Sequence, residues 1–294
     1  MAVSTLTSEQ GVSLVAVFDD WRSGQRVLSQ PDLQAFARHL RAEEKPEWSC
    51  TVNNVVSTLE RHGVLSAVEI PSEGDYRPFN RYVTSDATAF DVAAKLRPRG
   101  YLSHATAVFA HGLTEQLPQT IYINDEQSKK PAPTGKLTQA SINRAFKSRQ
   151  RVSKFAFVYA RNRIVILNGK QSNSLGVQTI NLSGSELPVT DLVRTLIDIA
   201  VRPVYAGGVY EIMAAYQAAV GNVSIDQIVK YLAALDYVYP YHQAIGFYLD
   251  RVGASADQTA PLRALGLDFD FHLLHGLKAP VLDPSWRVYV PDGL

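Results

Sequence analysis

The sequence predicts an α+β fold in two parts: an N-terminal module at residues 1–88 and a larger α+β domain at residues 89–294, with a mixed sheet and a helical cluster. Three observations support this. The chain of 294 residues exceeds a typical single domain. The first part alternates helical and strand-like apolar spacing in a distinctive order. The second part has strand-like segments first and mainly helical segments after residue 188.

The first 88 residues predict a helix, a short strand, two further helices and a hairpin. Ser8, Ser29 and Ser49 precede the three helical patterns, where a serine side chain can accept hydrogen bonds from the first free N–H groups. Gly63 ends the third helix, and strand-like runs at 64–70 and 79–84 enclose a polar turn. This order is typical of a winged helix-turn-helix that binds duplex DNA.

The third helix of such a module enters the major groove, so its outward face is expected to contact bases and phosphates. Asparagine pairs with adenine, arginine with guanine, and serine or threonine with either bases or phosphates. The predicted DNA contacts on this helix are Thr51, Asn53, Asn54, Ser57, Thr58 and Arg61, and those of the hairpin are Arg77 and Arg81. The alternative is that these residues only form a solvated surface.

The near-neutral net charge of +1 conceals an uneven distribution. Residues 1–95 carry a net charge of −4 and residues 171–294 a net charge of −5, whereas residues 129–170 hold eleven Lys and Arg and no acidic residue. A predicted helix beginning at Thr138 would turn Ala140, Ala145 and Phe146 inward. The basic face is predicted to comprise Lys136, Arg144, Lys147, Arg149, Arg151 and Lys154. This segment indicates DNA or an acidic partner, unless it is simply a basic solvated surface.

In the larger part, strands are predicted at 119–123, 152–159, 163–167 and 177–182, and helices at 86–95, 104–111, 190–200, 208–220, 224–235 and 240–252. The last forty residues predict short strands.

Three runs in this part resemble a known family: YLSHATAVFAHGLTEQLPQTIYI (101–123), LPVTDLVRTLIDIAVRPVYAGGVYEI (187–212) and YPYHQAIGFYLDRVG (239–253). They are similar to the AbiEi-type antitoxins of type IV toxin–antitoxin systems. The resemblance implies a repressor that binds its own operator and opposes a nucleotidyltransferase toxin, contacted directly or opposed functionally. The chain departs from the family in a long turn at 41–48 and in the acidic residues Glu73 and Asp75 of the hairpin turn. A stand-alone transcriptional regulator is the alternative.

A nucleic-acid-processing enzyme is the less favoured alternative. A metal-dependent nuclease needs a carboxylate two residues before a lysine, but Asn168 stands there ahead of Lys170. Asp191 and Asp198 flank Arg194 at helical spacing, which favours a structural ion pair. The pairs His104/His111 and His272/His275 lack further ligands at metal-binding spacing, and no phosphate-binding glycine motif occurs. We therefore expect no catalytic residue, metal or cofactor.

Several tyrosines could stack on single-stranded nucleic acid, but their positions in helical patterns favour packing roles. They are Tyr231, Tyr237, Tyr239, Tyr241 and Tyr248. The single cysteine, Cys50, is consistent with a reducing compartment. The N-terminus lacks the pattern of a signal peptide, and no long apolar run is present. These features predict a cytoplasmic protein that does not enter a membrane.

Overall fold

The fold was analysed in a computed structural model, which describes residues 8–42, 51–129 and 135–294. The N-terminal elements follow the predicted order. They are α1 (Ser8–Arg22), β1 (Val27–Leu28), α2 (Gln30–Ala42), α3 (Val52–Arg61), β2 (Ser66–Ile70) and β3 (Phe79–Val83). The three strands form an antiparallel sheet in the order β1-β3-β2.

Local side-chain bonds fix the starts of α2 and α3. The Asp32 carboxylate accepts hydrogen bonds from the backbone N–H and the hydroxyl of Ser29, both at 2.7 Å. Thr51, rather than Ser49, is the residue before α3, and its side chain accepts a hydrogen bond from the Asn54 N–H. Ser49 and Cys50 lie outside the described residues, as does most of the 41–48 turn.

Apolar faces of the three helices meet in one N-terminal core. Leu14 and Phe18 of α1, Leu33 and Phe36 of α2 and Leu59 of α3 are fully buried there. The Phe18 and Phe36 rings pack edge to face, with centroids 5.1 Å apart. Burial of a large apolar side chain contributes about 1.5–3 kcal/mol to folding, so this core holds the helices in a fixed arrangement.

A six-stranded mixed sheet forms the centre of the larger part, which confirms the predicted α+β class. Its strands are β4 (Tyr101–Leu102), β5 (Thr120–Glu126), β6 (Ala156–Tyr159), β7 (Asn162–Gly169), β8 (Val177–Leu182) and β9 (Ser185–Thr190). Their order is β6-β7-β5-β4-β9-β8, with β5 parallel to β7 and β4 parallel to β9. Helix α4 (Ala89–Ala94) precedes β4 in sequence, α5 (Ala105–Ala110) lies between β4 and β5, and α6 (Gln139–Lys147) lies between β5 and β6.

The helical cluster follows the sheet in sequence. It comprises α7 (Leu192–Val201), α8 (Val209–Ala219), α9 (Ile225–Leu235), α10 (Tyr241–Arg251) and α11 (Ala256–Arg263). A three-stranded sheet of β10 (Phe271–His272), β11 (Val281–Asp283) and β12 (Val288–Val290) closes the chain. Trp286 is fully buried in the core of this cluster. Among the described residues, we find no helix with the length and apolar character needed to span a bilayer.

The N-terminal module and the larger part share a core. Val27, Ile70 and Val83 of the small sheet belong to the same buried cluster as Ile121 and Ile164 of the large sheet. The core is therefore continuous across residue 88, where the sequence suggested a domain boundary. Removing the larger part would expose apolar side chains of the N-terminal module.

Candidate functional site

The outward face of α3 carries four of the eight residues predicted to contact DNA. Asn53, Ser57 and Arg61 are exposed, and Asn54 is partly buried. Within the described residues, Arg61 takes part in no ion pair. Its guanidinium is therefore available to a base edge or a phosphate, since arginine can bind both.

Thr58 does not belong to this face. Its side chain is only 3% exposed, whereas the sequence predicted it beside the outward residues. Thr58 is three residues after the fully buried Val55, so its side chain lies next to the buried stripe of the helix. The expectation that Thr58 contacts DNA is wrong.

The ends of α3 are secured by two polar residues. Thr51 is exposed, and its hydroxyl accepts a hydrogen bond from the Asn54 N–H at 3.3 Å. Glu60 accepts a hydrogen bond from the Ala67 N–H of β2 at 3.1 Å, which ties the helix to the hairpin. Thr51 thus stabilises the helix start, and its hydroxyl hydrogen can still be donated to a ligand.

The Arg81 side chain makes hydrogen bonds within the fold. Its guanidinium donates to the carbonyl oxygens of Asn80, Lys95 and Leu96 at 2.8–3.2 Å. These bonds engage four of its five N–H groups. Burial lowers the pKa of Arg81, and the nearby Asp32 carboxylate opposes that shift. The expectation that Arg81 is free to contact DNA is therefore wrong, whereas Arg77 is exposed in the hairpin turn.

The hairpin turn packs against the edge strand β6 of the large sheet. Ser72 forms an antiparallel bridge with Phe157, and the Phe79 ring lies 4.8 Å from the Phe157 ring. Glu73 forms an ion pair with Arg163, with Nε and Oε2 2.7 Å apart. These contacts give the acidic Glu73 a structural role.

The six predicted basic-face residues are all exposed and make no ion pairs within the described part of the chain. They are Lys136, Arg144, Lys147, Arg149, Arg151 and Lys154. Only Arg144 and Lys147 lie on α6, which ends at Lys147. Arg151 follows Lys147 by four residues, a spacing that would suit one helical face, but it lies beyond the end of the helix.

Helix α6 is anchored by fewer apolar residues than expected. Thr138 caps it as predicted, in a reciprocal arrangement with Ser141. Ile142 and Phe146 are buried, whereas Ala140 is exposed, contrary to the prediction that it faces inward. A narrow buried stripe leaves the rest of this short helix open to solvent.

The carboxylates of Asp191 and Glu126 are engaged in structural hydrogen bonds. Asp191 caps α7 by accepting a hydrogen bond from the Arg194 N–H at 2.7 Å. Glu126 accepts hydrogen bonds from Tyr101, Ser172 and Ser174. Across the described ranges, no cluster of three His, Cys, Asp or Glu residues could hold a metal ion. These bonds favour structural roles for Asp191 and Glu126.

Among known proteins, the chain shows similarity of fold to a solved structure. No family model and no curated protein matches the chain. The fold is similar to the crystal structure of the RV2827C protein from Mycobacterium tuberculosis, with a TM-score of 0.53 and 15% sequence identity. The match covers 98% of this chain and 92% of that one. The likeness therefore extends through both parts of the fold.

Proposed function

We propose that this protein is a DNA-binding antitoxin that represses its own operon and opposes a nucleotidyltransferase toxin. The observation that carries the DNA-binding proposal is the exposed polar face of α3, with Asn53, Ser57 and Arg61. It lies within a module whose helix, strand and hairpin order is typical of winged-helix DNA readers. The resemblance of the three runs at 101–123, 187–212 and 239–253 to AbiEi-type antitoxins supports the antitoxin role.

The charge distribution suggests that two surfaces contribute to DNA binding in different ways. Residues 1–95 have a net charge of −4, so this module attracts phosphates weakly. The six exposed cations of the basic face are available to supply that attraction. In this proposal α3 selects the sequence and the basic face supplies affinity that does not depend on sequence.

Fluorescence anisotropy with the protein's own upstream DNA tests the first assignment. Arg61→Ala is expected to weaken operator binding by about 1–3 kcal/mol and random-DNA binding by less, because a base contact carries sequence information. Arg99→Ala, which removes an exposed arginine far from α3 in sequence, is the matched control. An equal loss on both DNAs would make Arg61 a phosphate contact, and no loss on either would reject the α3 surface.

The salt dependence of binding tests the second assignment. Replacing Arg144, Lys147 and Arg151 together with alanine is expected to reduce the slope of log K against log salt by up to about 2.7, since each phosphate contact contributes about 0.9. Point variants are preferable to truncation because the two parts share a core. An unchanged slope would show that the basic face does not bind DNA.

The antitoxin role is tested by co-expression with the product of the neighbouring reading frame. A nucleotidyltransferase whose toxicity is relieved by this protein would support it. If the neighbouring frame encodes no such enzyme, or if this protein leaves its toxicity unchanged, a stand-alone transcriptional regulator becomes the better explanation. In that case operator binding through α3 would still be observed.

A further inference from the structure

A cavity of about 330 Å³ lies where the large sheet meets the helical cluster. It is lined by Asn124 of β5, by Gly169 and Lys170 at the end of β7, by residues of α7 and by the segment 237–241. Cavities that bind small molecules start at about 300 Å³. The space therefore suits one small molecule rather than a polymer.

The cavity carries an excess of positive charge. Arg194 and Asp198 form a buried ion pair, with Nε and Oδ1 2.8 Å apart, and so offset each other. Lys170 and Arg202 also line the cavity, and neither has an acidic partner among the residues that the structure describes. Two positive charges are thus left without a counter-ion.

Both cations keep free donors. In the described chain, the Arg202 guanidinium makes one side-chain hydrogen bond, to the Asn168 carbonyl at 3.1 Å. The Lys170 ammonium donates one, to the Asp236 carbonyl. An arginine has five N–H donors and a lysine three, so six remain between them. Because Asn168 and Lys170 flank Gly169, the two cations converge on the end of β7.

The backbone of His104 is a second observation that points to a ligand site in this cavity. It links β4 to α5 with φ 53° and ψ −133°, a backbone conformation that L-residues rarely adopt. The His104 side chain is 4% exposed, and its Nδ1 pairs with the Ser103 hydroxyl at 2.9 Å. His104 also lines the cavity, and strained backbone conformations cluster at active sites and ligand-binding sites.

Burial lowers the pKa of His104, and the positive charges of Arg202 and Arg194 lower it further. The imidazole is therefore neutral at pH 7. It can offer a hydrogen bond without adding charge.

Part of the cavity wall is aromatic. Tyr237, Tyr239 and Tyr241 line it, and the rings of Tyr237 and Tyr241 pack edge to face at 5.3 Å. Burial raises the pKa of Tyr237 and of Tyr241, so both phenols stay protonated. The Lys170 ammonium lies 5.6 Å from the centre of the Tyr237 ring. A flat apolar group could therefore bind beside the cationic end.

The cavity wall is organised in advance. Asn124 donates to the Tyr101 hydroxyl at 2.6 Å, and Tyr101 donates to Glu126 at 3.0 Å. Gly169 faces Asn124 so closely that a Cβ at that position would collide with the Asn124 amide. A wall held by such bonds binds a ligand with little loss of conformational entropy.

From these features we infer that the cavity binds a small phosphate ester that carries a planar ring, such as a nucleoside monophosphate. Its phosphate would meet Lys170 and Arg202, and its ring would pack against the tyrosines. A phosphomonoester carries a charge of about −1.5 to −2 at pH 7, which matches the two uncompensated cations. This inference does not depend on DNA binding.

Isothermal titration calorimetry on the full chain tests the inference with AMP, GMP, CMP and UMP as probes. At least one is expected to bind at least tenfold more tightly than both inorganic phosphate and its own nucleoside. Arg202→Ala and Lys170→Met are each expected to weaken that binding by about tenfold or more, the loss of one charge-assisted hydrogen bond. Arg99→Ala, an exposed arginine outside the cavity, is the matched control.

Lys170 is exposed, so Lys170→Met tests the inference even if Arg202→Ala fails to fold. Several results would overturn it: no binding by any monophosphate, equal binding of inorganic phosphate or the nucleoside, or unchanged binding in folded cavity variants. Because no DNA is present, failure of the operator assay and failure of this titration are separate results.

Discussion

The buried pair of Arg194 and Asp198 gives the sharpest prediction for stability. Their side chains are 3% and 7% exposed, and Nε and Oδ1 lie 2.8 Å apart. Although burial disfavours its charged form, Asp198 raises the pKa of Arg194 above its ordinary value. Asp198→Ala would leave a buried guanidinium with only the Leu175 carbonyl and the Ser172 hydroxyl as partners.

Breaking one side of such a pair costs about 3–5 kcal/mol of unfolding free energy. If each kcal/mol lowers the Tm of a chain this long by about 2 °C, the Tm is expected to fall by about 6–10 °C. The reverse variant, Arg194→Met, should cost less. Burial already raises the pKa of the Asp198 carboxyl, so the carboxyl can take up a proton and become neutral.

Urea unfolding and differential scanning calorimetry would measure these effects. Asp19→Ala is the matched control, because Asp19 pairs with Arg22 at 2.7 Å on α1 while 48% exposed. An exposed pair contributes about 0–1 kcal/mol. The double variant Arg194→Met/Asp198→Leu is expected to recover most of the lost stability. Equal losses for Asp198→Ala and Asp19→Ala would refute the reasoning.

Three further predictions concern two core positions and one buried histidine. Phe157→Ala is expected to lower the unfolding free energy by about 3–5 kcal/mol, because Phe157 is fully buried against Phe79. It should also speed amide hydrogen exchange in the hairpin, and unchanged exchange would contradict the packing. Gly246→Ala is expected to lower the unfolding free energy by about 1–3 kcal/mol, because the added Cβ would collide with the Trp286 ring. Urea unfolding measures this change, and a stability equal to that of the wild type would refute it. Burial lowers the pKa of His104 in the folded state, so the unfolded state binds its proton more readily. Its contribution to stability is complete above its unfolded pKa of about 6.5 and falls as the pH drops below it. Urea unfolding at pH 7.5 and at pH 5.5 measures how much unfolding free energy is lost on acidification. His104→Gln is expected to make this loss smaller, and a loss equal to that of the wild type would refute the reasoning.

Periodicity predicted much of the fold because apolar spacing decides which face of an element is buried. The strand at 177–182 and the helices near 190–252 follow from such spacing. Strand β9 was missed, since Ser185–Thr190 contains Pro188 and directly precedes a helix. Helix α11 was also missed because it contains Pro261, a residue that usually ends a helix.

The candidate sites show the limits of spacing more clearly. A helical wheel placed Asn54, Ser57 and Arg61 at the centre of the outward face, with Asn53 and Thr58 beside them. The structure exposes Asn53, Ser57 and Arg61, whereas Asn54 is partly buried and Thr58 is buried at the edge of the apolar stripe. The bonds of Arg81 to the end of α4 depend on tertiary packing, which local spacing does not describe. The cavity unites residues as distant in sequence as Asn124 and Tyr237, so only the folded chain brings them together.

Under the proposed repressor function, the packing of the hairpin turn on β6 has a consequence for how two copies of the protein would bind two neighbouring DNA sites. The Ser72 bridge to Phe157 and the Glu73 pair with Arg163 tie the α3 module to the large sheet, so the module cannot swivel on a linker. The spacing between the two α3 helices would then be set by the contact between two rigid bodies. Inserting half a helical turn of DNA, about five base pairs, between the two sites should weaken binding of the second copy, and a full turn of about ten should restore it.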